Sequence, residues 1–153
     1  MNDLCGLVKR FGPLAARVLI AQLFVIAGLG KMTAFPKTAA YMANHSLPMP
    51  EVLLVLTIVI EFGGGLMLIL GWKARWVAAA MCGFTLIATV IFHPFWGIEP
   101  QLLKSALNDF MKNLAIMGGL LYVVAYGAGP LSLGKDDSAP EPGKIRPGEK
   151  NER

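Results

Sequence analysis

Cysteine is scarce: Cys5 and Cys82 are the only two. They form neither a CxxC redox pair nor a thiolate metal site. Cys82 falls inside an apolar run and reads as a small packing residue. Histidine is equally sparse, and His45 and His93 lack the close spacing of a metal-ligand pair. No haem, flavin, iron–sulfur or nucleotide-binding motif occurs, so no intrinsic cofactor is expected. Charge is thin as well, at 16% of residues, and the last 19 residues hold ten of the 24 charged side chains. What remains is too poor in charge for an ordinary soluble surface. The net charge of +4 does not point to nucleic acid, because the basic residues flank apolar runs instead of forming a patch interleaved with aromatics.

What the chain has in abundance is hydrocarbon. It is 55% hydrophobic, with a mean hydropathy of +0.56. Four apolar runs, at about 13–34, 51–71, 74–95 and 107–128, each approach the ~20 residues that cross a bilayer as a helix. Alternating strand patterns are absent, and backbone in lipid must satisfy itself internally, so helices are expected. The breakers agree: Pro36 after the first run, Pro48 and Pro50 before the second, Gly71 closing it, Pro94 and Pro100 around the end of the third, and Gly127 to Pro130 after the fourth. Arg17 and the three later spans favour a retained first helix over a cleaved signal peptide.

The expected fold class is therefore all-α, a polytopic membrane four-helix bundle. Residues 1–134 form the membrane domain, and 135–153 form a polar tail that reads as disordered. With the N-terminus inside, basic residues number ten inside against four outside, which favours N-in/C-in. The outer segments 35–50 and 94–106 mix aromatic, apolar and polar residues. They read equally as a lid over the outer mouth and as exposed loops.

One residue resists this apolar plan. In VLLVLTIVIEFGGGLMLILG, Glu61 lies about 15 Å deep at ~1.5 Å per residue, near the midplane. A charge there costs ~2.5 kcal/mol or more, so it should face the bundle interior, where Gly63, Gly64 and Gly65 allow a neighbouring helix to come close. The carboxyl is either neutral or ionised and paired with Lys31. Lys31, His93, Lys112 and Asn113 fall at the outer third by the same depth count. Helical spacing places Thr57, Glu61 and Gly65 on one stripe, and Cys82, Thr85, Thr89 and His93 on another. Arg17, Phe24, Gly28 and Lys31 share a face, as do Asp109, Asn113 and Met117. Thr85 and Thr89 read as contacts between helices.

Taken in order, Arg17, AGLGKMTAFP (27–36), YMANHSLPMP (41–50), IEFGGGLMLILGWKARWVA (60–78), HPFW (93–96), KNLAIMGGLLYVV (112–124) and GPLSL (129–133) resemble the DoxX family of small four-helix membrane proteins. The resemblance spans about 14–134. It implies one transmembrane bundle in a bacterial plasma (inner) membrane, in a redox setting. It also implies a candidate site of Lys31, Glu61, His93 and Asn113, with Glu61 as the proton-exchanging group and the other three as ligand-binding groups. Some members carry a second histidine after the first; Pro94 stands there in this chain, so a two-histidine ligand set is not expected.

Two readings of function follow. In the first, a quinone enters from the lipid and exchanges a proton with Glu61, while electrons come from a partner such as a membrane-associated oxidoreductase subunit. In the second, the chain is a non-catalytic scaffold whose polar cluster specifies helix packing. A small-molecule transporter ranks third, since four helices are few for alternating access unless a homo-oligomer supplies more.

Overall fold

Apolar stretches of this length form helices, and the computed structural model, which describes residues 2–97 and 99–134, is all-helical. The helices are α1 (Asn2–Thr33), α2 (Phe35–Asn44), α3 (Pro50–Ile58), α4 (Gly64–Leu70), α5 (Ala74–Phe92) and α6 (Pro100–Tyr126). A single π-helical turn, Val59–Gly63, joins α3 to α4, so residues 50–70 make one rod. The expected tail, 135–153, lies outside the described residues.

Among the described residues, three stretches are long and apolar enough to cross a membrane: Leu4–Thr33, Pro50–Leu70 and Ala74–Phe92. The 27-residue α6 also has the length, but Lys104, Asp109, Lys112 and Asn113 dilute its N-terminal half. Large apolar side chains such as Ile26, Val59, Ile87, Leu121 and Trp76 point outward, as lipid-facing residues do. The core between helices is built of smaller groups, including Ala21, Ala74, Ala78 and Ala128 around Leu68, Met81 and Leu120. Small residues let helices approach where no hydrophobic drive separates lipid from protein.

Boundaries follow local chemistry. Gly71 adopts φ +70, and its N–H and that of Trp72 bond back to the carbonyls of Leu68 and Met67, a Schellman cap that frees α5 to start at Ala74. Pro94 bars helix for the residue before it, and α5 ends at Phe92 with His93 as its C-cap. Two elements differ from the sequence expectation. The helix expected from near 107 begins at Pro100, because proline suits a first helical turn and Gln101, Leu102, Leu103, Lys104 and Ala106 are good helix formers. The first helix starts at Asn2 rather than near 13; Pro13 is accommodated within it.

The segment after α1 also resolves. Residues 35–44 are helical, and Ala39 and Met42 of α2 bury themselves against Leu54, with Phe35, Ile58 and Phe92 around them. The outer segment 35–50 is therefore largely a packed lid rather than a plain loop. Tyr41, His45 and Phe92 close its edge, with ring centroids 4.5 to 5.8 Å apart.

At the opposite end of the bundle, Arg17 is 1% exposed. Its guanidinium donates to the carbonyls of Leu68 (3.2 Å) and Ile69 (3.1 Å), the last turn of α4, and to Leu131. Helix C-termini carry unpaired carbonyls and partial negative charge, which this cation satisfies. The chain after α6 is fastened to the same place by Leu133 N–H to Leu70 O and Gly134 N–H to Gly71 O.

Candidate functional site

Close approach of α1 to the second rod creates the site. A Cβ on Gly28 would lie 2.9 Å from Phe62 Cβ and 3.0 Å from its backbone nitrogen; one on Gly65 would lie 2.8 Å from Val25 Cγ2. A side chain at either position would force its neighbours to shift. This contact runs along the π turn that carries Glu61. A π turn inserts one residue into the helical register, and such turns concentrate at functional positions.

Three residues past Gly28, Lys31 reaches across to Glu61. Its Nζ lies 2.9 Å from Oε1 and 2.7 Å from Oε2. The glutamate side chain is 8% exposed and the lysine side chain 27%. Of the two states left open by the sequence, the paired one is present. Lys31 needs only its last helical turn and a long flexible stem to meet a group at Glu61's depth.

Two cavities flank the pair. One, of about 260 Å³, is lined by Leu23, Phe24 and Ala27 of α1, Phe84, Thr85 and Ala88 of α5, and Asn113 and Ile116 of α6, together with Lys31, Glu61 and His93. The other, of about 300 Å³, lies beneath α2 against Thr38, Tyr41, Met42, Thr57 and Phe92, and shares Lys31, Glu61, Phe84, Ala88 and His93 with the first. Lys31, Glu61, His93 and Asn113, drawn from four separate parts of the chain, thus border one cavity. His93 gets there by being the cap of α5, where the chain leaves the helix axis.

Other polar residues sort differently. The hydroxyls of Thr85 and Thr89 donate to Met81 O (2.7 Å) and Thr85 O (2.6 Å) of their own helix, so they do not bridge helices as expected. Lys112 pairs with Asp109 at 2.6 Å on an exposed face of α6. His45 bonds Tyr41 O through Nδ1 and stays at the lid's edge. Cys5 and Cys82 are both free. A wider open depression of about 720 Å³ runs along α6 past Gln101, Lys104, Asn108 and Met111; every residue lining it belongs to that one helix. Sequence reading missed the second cavity, with Thr38, Tyr41 and Thr57; its signal was the i, i+4 pair Thr57–Glu61 and the spacing of Thr38, Tyr41 and Met42 on a helix opening with Phe35-Pro36.

The chain can hold, beside a buried ion pair, a molecule of modest size with an apolar body and polar points. Comparison with known proteins adds the following. A family model described as DoxX matches residues 12–94, a span that includes Lys31, Glu61 and His93. The Escherichia coli (strain K12) protein named Inner membrane protein YqjF is 38% identical over 122 residues, 80% of this chain and 88% of that protein. Inner membrane protein YphA of the same organism is 32% identical over 120 residues, 78% and 86% respectively. A Surfeit locus protein 4 homolog of Schizosaccharomyces pombe is 35% identical over 69 residues, 44% of this chain and 23% of that protein. No solved structure matches.

Proposed function

The chain belongs to the DoxX family and is an inner membrane protein, and from that premise we propose that it binds a quinone-like molecule at Lys31, Glu61, His93 and Asn113 as the membrane part of a redox system. The observation that supports this reading is the convergence of those four residues on one cavity inside an otherwise apolar bundle. Polar groups placed there at an energetic cost imply use. In this reading a quinone ring lies against Phe84 and Ala88. Lys31, His93 or Asn113 donates a hydrogen bond to its oxygen, and Glu61 relays, one at a time, the two protons taken up when two electrons reduce the quinone to a quinol. Electrons are supplied by a partner oxidoreductase. Bundle closure is completed by α6 as a fourth pass, with both chain ends on the cytoplasmic side.

The test is native mass spectrometry of the protein extracted gently from its own membrane, alongside Glu61→Gln. A bound quinone-like mass that disappears in Glu61→Gln supports the reading. A stable protein partner with no small molecule, unchanged by the substitution, refutes it. That outcome would favour the second reading, a scaffold in which the pair only locks helices. This alternative has its own support: at 2.7 Å both charges are already spent on each other.

A further inference from the structure

Thr57 stands apart from the other threonines. Thr33, Thr38, Thr85 and Thr89 each donate their hydroxyl to a carbonyl three or four residues earlier in the chain. This is the usual way a helix disposes of a hydroxyl in an apolar setting. Thr57 makes no such bond among the described residues, although it too sits within a helix, α3. It lines the cavity beneath α2, one helical turn from Glu61. A hydroxyl with no partner in a membrane interior is costly, and here it borders a cavity of about 300 Å³.

The rest of that cavity defines what would fit. Tyr41, Phe84 and Phe92 supply ring surface, and Met42 closes the roof from α2. Lys31 and Glu61 on its wall neutralise each other, so beyond the His93 imidazole the chamber offers no uncompensated charge to an ion. We propose that this second chamber is a binding compartment for the hydrogen-bond-accepting end of an uncharged lipophilic molecule. Thr57 is its donor, and the Lys31–Glu61 pair is the partition from the chamber bordered by Asn113. The compartment shares Phe84, Ala88 and His93 with the neighbouring chamber, and Thr57 with the α2 residues Thr38, Tyr41 and Met42 sets it apart.

Benzophenone is a suitable probe, being a neutral aromatic ketone that couples covalently to nearby C–H bonds under ultraviolet light. The full-length protein in lipid nanodiscs is irradiated with it and the adducts are mapped by peptide mass spectrometry. The expected result is saturable labelling of Met42, lowered about 5-fold in apparent affinity by Thr57→Val, the size of one lost hydrogen bond, and restored by Thr57→Ser. Thr57→Val keeps shape and apolarity, and an unchanged far-UV circular dichroism spectrum and melting curve verify its fold. Labelling confined to lipid-facing methionines such as Met49 and Met111 would overturn the proposal. So would labelling of Met42 that Thr57→Val leaves unchanged. Should Thr57→Val not fold, equal affinity of Thr57→Ser and Thr57→Ala would overturn it as well, since only serine retains the donor.

Discussion

Replacing Lys31 by methionine removes the one hydrogen-bond donor that Glu61 has among the described residues, at 2.7 and 2.9 Å, and leaves its side chain, 8% exposed, unpartnered. Breaking a buried pair in this way costs about 3–5 kcal/mol, because the abandoned charge keeps its desolvation penalty. Glu61→Gln should cost less, since the Lys31 side chain is 27% exposed and its stem can lift the ammonium toward the interface. Replacing both together removes the charge problem altogether. The double variant should therefore lie within about 1 kcal/mol of the parent, since buried pairs are often neutral against isosteres. The assay is reversible unfolding in mixed micelles, followed by circular dichroism as denaturing detergent is titrated. The four proteins form a double-mutant cycle whose interaction energy should be about 3–5 kcal/mol, the two single costs less that of the double variant. Two results would refute the reasoning: a Lys31→Met cost below about 1 kcal/mol, or additive single costs, which would mean that the two groups do not depend on each other.

Gly28→Ala should destabilise by about 1–3 kcal/mol through overpacking, since its Cβ would press on Phe62 backbone. Gly30→Ala, with nothing within 4 Å, should be neutral or slightly stabilising in the same unfolding assay. Arg17→Leu should cost about 3 kcal/mol, by stripping charged hydrogen bonds from buried carbonyls. It should also speed amide exchange at Leu133 and Gly134, whereas a purely lipid-facing arginine would leave exchange there unchanged. A membrane-impermeant maleimide should label Cys5 of the Cys82→Ala variant only after the membrane is opened; labelling of intact cells would reverse the orientation.

Much of this architecture was legible in the chain. The rods at 50–70 and 74–92 follow from apolar length and from Gly71 and Pro94, which act locally. Glu61 announced itself because a lone carboxylate in hydrocarbon needs a reason, and its pairing with Lys31 was one of two foreseeable states. The π turn was not legible: it lies where Gly28 of α1 meets Phe62 and Gly65 of α4 meets Val25, and that fit between two rods is a tertiary effect. The face count therefore placed Gly65 beside Glu61 and Thr57 on one stripe, whereas Gly65 packs on Val25 and the other two border a cavity. The lid helix hid behind Pro36, a residue that both ends one helix and opens another. Arg17 was visible as a charge in an apolar run, but its acceptors are backbone carbonyls, and no residue type advertises those.

The Arg17 cluster also carries a consequence in time. Synthesis makes the guanidinium first, its α4 acceptors 51 and 52 residues later, and Leu131 after 114. At about 5–20 residues per second, the arginine waits roughly 6–23 s for its last partner. The order of manufacture is thus the reverse of the order of need: the least tolerable group enters first, and the segment that follows α6 relieves it. Residues 131–134 act as the stitch that finishes the seam, and a truncation after Gly127 should release a nascent chain that the cell's membrane quality control treats as incomplete.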